Sequence, residues 1–208
     1  MCGSFIRNIH MMTIRQKTLM AGLLAGAFAL PVGAALKEGD TAPDFKAPAS
    51  LAGKPFTFSL KDALKKGPVV VYFYPAAFTN GCSLQAHSFA VNADKFAAAG
   101  ASIIGVSLDS IAQLNDFSAD PQSCAGKVPL ASDTDGRIAR SFDVAVADTE
   151  PGRKDRRGQE IGHGRAERTT FIVTPDGRVA GTVGGVAPDL NVQQALEAVQ
   201  KIAAGRKS

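Results

Sequence analysis

Cysteine is scarce in this chain: three in 208 residues, at Cys2, Cys82 and Cys124, with no Cys-x-x-Cys pair. That absence argues against a disulfide oxidoreductase of the dithiol type, which works with two thiols on one helical turn. Histidine is equally sparse. His87 and His163 have no evident set of partner ligands, so they read as surface or structural residues rather than a metal centre. No internal repeat is found.

Acidic residues are missing altogether before Glu38, while Arg7, Arg15 and Lys17 precede the apolar run "TLMAGLLAGAFALPVGAAL". This is the pattern of a secretory signal peptide, with small residues for cleavage after Ala34 or Ala35. The stretch Leu19 to Leu30 is short and glycine-interrupted for a membrane span. The expected division is a signal peptide at 1–34, removed, and one domain at 35–208. The mature protein is then periplasmic or secreted, free of the membrane, in a compartment where Cys82 and Cys124 can form a disulfide.

A strong excess of charge is also lacking. Three of the 23 basic residues leave with the signal peptide, so 20 face 19 acidic ones. Such a balance gives no overall footprint for nucleic acid. The locally basic "GRKDRRGQEIGHGRAER", Gly152 to Arg168, reads as part of an exposed, solvated loop spanning 145–167.

What the chain does have is a hydrophobic fraction of 45%, enough for a sizeable core. "VVVYFY", Val69 to Tyr74, is a strand buried on both faces. A helix of roughly four turns follows Cys82, with apolar positions Leu84, Phe89, Val91 and Phe96, and stops at Gly100. "ASIIGVSLD" is a second buried strand, "SIAQLNDFSAD" a helix capped by Ser110, "VPLASD" a short strand and "GRIARSFDV" a short helix. "RTTFIVTPDGRVAGTVGG" is a hairpin turning on Pro175-Asp176-Gly177, and "DLNVQQALEAVQKIAAG" a closing amphipathic helix. Strands alternating with helices, then a hairpin and a helix, predict an α/β sandwich.

The chemistry is concentrated in "PVVVYFYPAAFTNGC", Pro68 to Cys82. Pro75 stops the strand and Thr79 is placed to cap a new helix, which puts Cys82 in its first turn. Unpaired N–H groups and the helix dipole there favour a thiolate, the nucleophilic form. Lowering a thiol from about 8.5 to about 6 takes roughly 3.4 kcal/mol, and a helix terminus supplies at best about 2. A cation must help, and Arg165 and Arg168 are the candidates. Thr79 shares a helix face with Cys82, so its hydroxyl can meet the sulfur or a substrate oxygen, and Pro75 can shield the site from water. The plain alternative is a small buried cysteine behind an ordinary cap.

The segment "PAAFTNGC" has the Pro-x-x-x-Thr-x-x-Cys form of the peroxiredoxins. "RTTFIV" resembles their active-site arginine strand, and "GDTAPDF" from Gly39 their opening segment. "IIGVSLDS" and "LASDTDGRIARSFDV" extend the resemblance over nearly the whole mature chain, most closely to the bacterioferritin-comigratory branch. The resemblance implies a thioredoxin-like fold with a central mixed β-sheet flanked by helices. It implies that Cys82 is the peroxidatic cysteine, with Pro75, Thr79 and Arg168, rather than Arg165, around the peroxide. It also implies an antioxidant thiol peroxidase that reduces hydrogen peroxide and organic hydroperoxides through a sulfenic acid, with no metal or organic cofactor needed. The partners implied are the peroxide and a thioredoxin-like reductant, with the protein a monomer or homodimer.

Two departures stand out. Gln85 occupies a position often acidic in the family, and His87, which can tune the thiolate, occupies a common resolving-cysteine position. Cys124 is the candidate resolving cysteine, although the usual alternative position, beside Phe117, holds Ser118. As a permanent bridge to Cys82 it would instead close a loop of about 42 residues and contribute roughly 4 kcal/mol. A redox sensor or holdase using the same oxidation is the competing function.

Overall fold

A computed structural model describes residues 35–205. The signal peptide expected at 1–34 lies outside the described residues. The elements run β1 (Lys46–Leu51), β2 (Lys54–Ser59), α1 (Leu60–Leu64), β3 (Val69–Phe73), α2 (Asn80–Ala98), β4 (Ser102–Ser107) and α3 (Ile111–Ala119). They continue with β5 (Leu130–Ser132), α4 (Arg137–Ser141), β6 (Val146–Ala147), β7 (Arg165–Ala166), β8 (Thr169–Val173), β9 (Val179–Gly184) and α5 (Pro188–Gly205).

Seven strands form one sheet in the order β2-β1-β5-β4-β3-β8-β9. The β3–β4 and β4–β5 pairs are parallel, whereas β8 lies antiparallel to β3. The sheet is therefore mixed, and β3 is central, as its unbroken apolar run predicts. All five of its residues are buried because both faces are covered. Val69, Val71 and Phe73 join Phe45, Phe142 and Phe171 on one side. Val70 and Tyr72 join Phe89 of α2, Leu114 of α3 and Val192 of α5 on the other. Gly105 interrupts β4 for a packing reason: a Cβ there would lie 2.5 Å from Cζ of Tyr72, whose ring stacks on Phe89 with centroids 4.4 Å apart.

The helix after β3 is longer than expected, with 19 residues. Phe89 and Phe96 are buried as anticipated, but Leu84 and Val91 are exposed by 49% and 59%. The inward side is instead defined by Cys82, Gln85, Ala86, Phe89 and Phe96. Leu84 and Val91, seven apart, share the outer side. The expected cap Ser110 does accept from the Gln113 N–H, and the hairpin turns where predicted.

Two regions depart from the sequence reading. The β1–β2 hairpin was not anticipated, because Pro48 and Pro55 depress strand character. It survives because β2 is an edge strand and β1 meets β5 only at Ala49 and Ser50. The second is the segment 145–167, expected to be an exposed loop. Its base is zipped by β6 and β7, Ile161 and Ala166 are buried, and Asp155 is 6% exposed. Asp155 accepts from the backbone N–H groups of Arg157 (2.8 Å) and Gln159 (3.1 Å) and pairs with the Arg157 guanidinium at 2.8 Å. Order built on a carboxylate-centred turn has no hydrophobic period to reveal it.

Candidate active site

The site forms where β3 runs out. Tyr74 still donates to the Val106 carbonyl, but Pro75 has no N–H, so the ladder stops. The chain then reverses through Ala76, Ala77 and Phe78, the last at φ 56°. Asp109, buried two residues past the end of β4, holds this reversal by accepting the Ala77 N–H at 2.8 Å. Thr79 takes the N-cap position of α2 with extended backbone (φ −86°, ψ 152°), so Cys82 falls in the first turn as expected.

The role expected of the Thr79 side chain needs correction. It makes no capping bond, because the left-handed turn at Phe78 brings the Ala76 carbonyl within reach, and the hydroxyl donates to it at 3.0 Å. The first-turn N–H groups of α2 are thus left without a side-chain cap, beside the sulfur.

Cys82 is 2% exposed. Arg168, immediately before β8, sets Nη2 3.4 Å from its Sγ. The register explains this approach. Phe73 pairs with Thr169, so the residue preceding Thr169 lies just past the end of β3, where α2 begins. Gly81 makes room, since a Cβ there would sit 3.3 Å from Nη2. Arg165, the other candidate, pairs with Glu150 instead.

Arg168 is gripped from behind. Its Nη1 donates to Oε1 of Gln85, and Nε2 of Gln85 donates to Oδ1 of Asn191 at 2.9 Å. Both amides are fully buried. Neither Asn191 nor Asp109 was singled out in the sequence, because nothing in their immediate neighbours marks them. Gln85 was noticeable only as a departure from the family's usual residue.

Pro75 and Arg168 line one cavity of 330 Å³ with Ala145, Ala147, Arg165, Ala166 and Glu167. The segment 145–167 therefore supplies much of the wall next to the site. It also meets the reversal directly: the Arg156 N–H donates to the Phe78 carbonyl at 3.0 Å, and the Arg157 guanidinium lies 3.4 Å from the centroid of the Phe78 ring.

Cys124 lies in the turn after α3, fully buried in the same apolar cluster as Cys82. Both are free thiols. Burial first, and the Asp120 charge second, push the Cys124 thiol well above its ordinary range. Tyr72 is held neutral by burial and then by the neighbouring Cys124 and Cys82 sulfurs. His87 is exposed and, five positions past Cys82, faces away from the sulfur. His163 is structural, one of the two readings offered for it: it places Nε2 3.0 Å from Oδ1 of Asp109 and Nδ1 2.6 Å from the Gly164 carbonyl. Among the described residues no cluster of His, Cys, Asp and Glu is arranged to hold a metal ion.

A helix N-terminus and a guanidinium at hydrogen-bonding distance from the same sulfur set donors where they can stabilise negative charge as it develops on an oxygen leaving from a broken bond. The AhpC/TSA family model matches residues 38–182. A provisionally named peroxiredoxin of Mycobacterium tuberculosis is 32% identical over 171 residues, covering 82% of this chain and 100% of that protein. Peroxiredoxin Bcp of Xanthomonas campestris is 38% identical over 111 residues, covering 53% of this chain and 62% of that one. The crystal structure of peroxidoxin BcpB from Mycobacterium tuberculosis superposes with a TM-score of 0.65 at 30% identity, covering 80% of this chain and 98% of that one. The mixed sheet flanked by helices is thus the thioredoxin-like fold, and the chain belongs to the AhpC/TSA family, the peroxiredoxins, as a thiol-dependent peroxidase.

Proposed function

We propose that Cys82 is the peroxidatic cysteine and that Pro75, Thr79 and Arg168 form the pocket in which it meets its substrate, hydrogen peroxide or an organic hydroperoxide. The observation that carries this reading is the 3.4 Å approach of Arg168 Nη2 to Cys82 Sγ at the start of α2. The Cys82 thiolate attacks one peroxide oxygen: an S–O bond forms, the O–O bond breaks, and hydroxide or alkoxide departs. Sulfur is oxidised to the sulfenic acid, and the peroxide, after taking a proton, leaves as water or alcohol. Arg168 and the first-turn N–H groups receive the charge that develops on the departing oxygen. With its own proton directed at Ala76, the Thr79 oxygen is left to accept a hydrogen bond from an incoming hydroperoxide. Pro75 limits the access of water.

Cys124 then acts as the resolving thiol. Its attack on the sulfenic acid releases water and leaves a Cys82–Cys124 disulfide, which a thioredoxin-like dithiol reduces. Membership of one apolar cluster supports the pairing, and full burial of Cys124 means that the first turn of α2 or the turn after α3 must open. The N-terminal pattern supports export to the periplasm or beyond, where the domain works as a monomer or homodimer.

The test is peroxide turnover with a thioredoxin-like donor. Cys82→Ser is expected to abolish peroxide consumption, and Cys124→Ser to keep one stoichiometric oxidation while losing turnover. Unchanged turnover in the second variant would remove Cys124 from the cycle. Oxidation without recycling, accompanied by client binding, would favour a sensor or holdase instead.

A further inference from the structure

We infer that Asn191, on the C-terminal helix, is a positioning residue that orients Gln85 and through it aims Arg168. This rests on the role proposed for Cys82 and Arg168. Asn191 is fully buried, and its backbone N–H is used within the helix start, on the Ala187 carbonyl. Its side chain makes three bonds: Nδ2 donates to the Val183 carbonyl at 3.1 Å, while Oδ1 accepts from Thr170 Oγ1 at 2.6 Å and from Gln85 Nε2 at 2.9 Å.

The direction of this relay is fixed at its far end. A backbone carbonyl only accepts, so the group facing Val183 must be the amide nitrogen of Asn191, and its oxygen must face Gln85. An oxygen only accepts there as well, so Gln85 is obliged to present its own nitrogen to Asn191 and its oxygen to Arg168. A guanidinium only donates, and Gln85 therefore meets it with the one atom able to accept. A buried amide turned the other way would set donor against donor at Arg168 and leave polar atoms unpaired.

This relay gives a physical reason for glutamine at position 85. A carboxylate there would accept from Arg168 equally well, but it has no proton for Asn191 Oδ1. The glutamine and asparagine belong together, and they tie α5 and β9 to the orientation of the arginine. The uncharged pair also leaves the Arg168 charge unneutralised, available to the sulfur and the departing oxygen.

The experiment is a double-mutant cycle on the second-order rate of Cys82 oxidation by hydrogen peroxide, in Gln85→Leu, Asn191→Leu and the double variant, with folding checked by circular dichroism. Each single substitution is expected to slow oxidation on the order of tenfold, within the hundredfold that a displacement of about 1 Å can cost. The double variant should be no slower than Gln85→Leu, because Asn191 acts only through Gln85. Multiplicative losses, or a wild-type rate in Asn191→Leu, would overturn the inference. Should Asn191→Leu fail to fold, the same cycle run with Asn191→Ser decides on the same criteria. Cys82→Ser, measured alongside, separates the two levels: if it still consumes peroxide, the site assignment fails, whereas an inert Cys82→Ser with an uncoupled Asn191 sinks the relay alone.

Discussion

At the scale of single residues, the site depends on small groups placed to let larger ones in. Gly81 is the sharpest case. Its φ is not in the left-handed region, so the backbone tolerates alanine, and a helix gains up to about 1 kcal/mol on such a change. The Cβ, however, would stand 3.3 Å from Arg168 Nη2, whose guanidinium is already fixed by Gln85 and Cys82. Gly81→Ala is therefore expected to melt no lower than the parent and to oxidise Cys82 several-fold more slowly, with Gly81→Val slower again. Equal rates in all three proteins, measured by quenched-flow mass analysis, would mean that Arg168 is not held tightly. The "PAAFTNGC" stretch made the positions of Pro75, Thr79 and Cys82 legible, since a strand stop, a helix N-cap and a first turn follow from local geometry. The hydroxyl of Thr79 bonds the Ala76 carbonyl rather than capping α2, a partner that depends on the conformation of Phe78.

At the scale of elements, the segment 145–167 acts as a strap over the reversal that follows β3. His163 fastens it. Both ring nitrogens face oxygens that only accept, the Asp109 carboxylate and the Gly164 carbonyl. Burial disfavours the imidazolium, but the hydrogen bond and charge of Asp109, with the Gly164 carbonyl, outweigh it and raise the His163 pKa, while Arg153 opposes them. A group raised on folding contributes stability that is full below its unfolded value of about 6.5 and is lost as pH climbs through the folded value. The urea midpoint should therefore fall as pH rises from about 6 through the folded pKa, and His163→Gln should flatten that slope. An unchanged slope would place the titrating group elsewhere. Asp109 also holds Ala77, so the same titration should loosen the reversal, read as faster amide exchange at Ala77. Periodicity found α3, β8, β9 and α5 but missed this strap, because its order rests on Asp155, Arg157 and His163 rather than on an apolar face.

At the scale of the whole molecule, the cycle proposed for Cys82 and Cys124 sets reactivity against stability. Cys124 is fully buried and its thiolate disfavoured, so it reacts only from an opened state. In Cys82→Ser, alkylation of Cys124 is expected to run at least about 100-fold slower than in the denatured chain and to accelerate with urea well below the unfolding transition. Rapid labelling in native buffer would show that no opening is needed. The sequence alone determined the class of fold, the central strand and the placement of Cys82 in the first turn of a helix, because buried strands, helix starts and a proline stop are written in runs of neighbouring residues. It could offer Arg165 and Arg168 only as equals until a family resemblance separated them. Tertiary structure decided the matter through one fact no local pattern carries: β8 runs antiparallel beside β3, so that the residue before Thr169 arrives past Phe73 at the mouth of α2. The same is true of Asn191 and Asp109, whose partners are 106 and 32 positions away. Contacts of that separation are set by sheet order and helix packing, which is why they become visible only once the chain has folded.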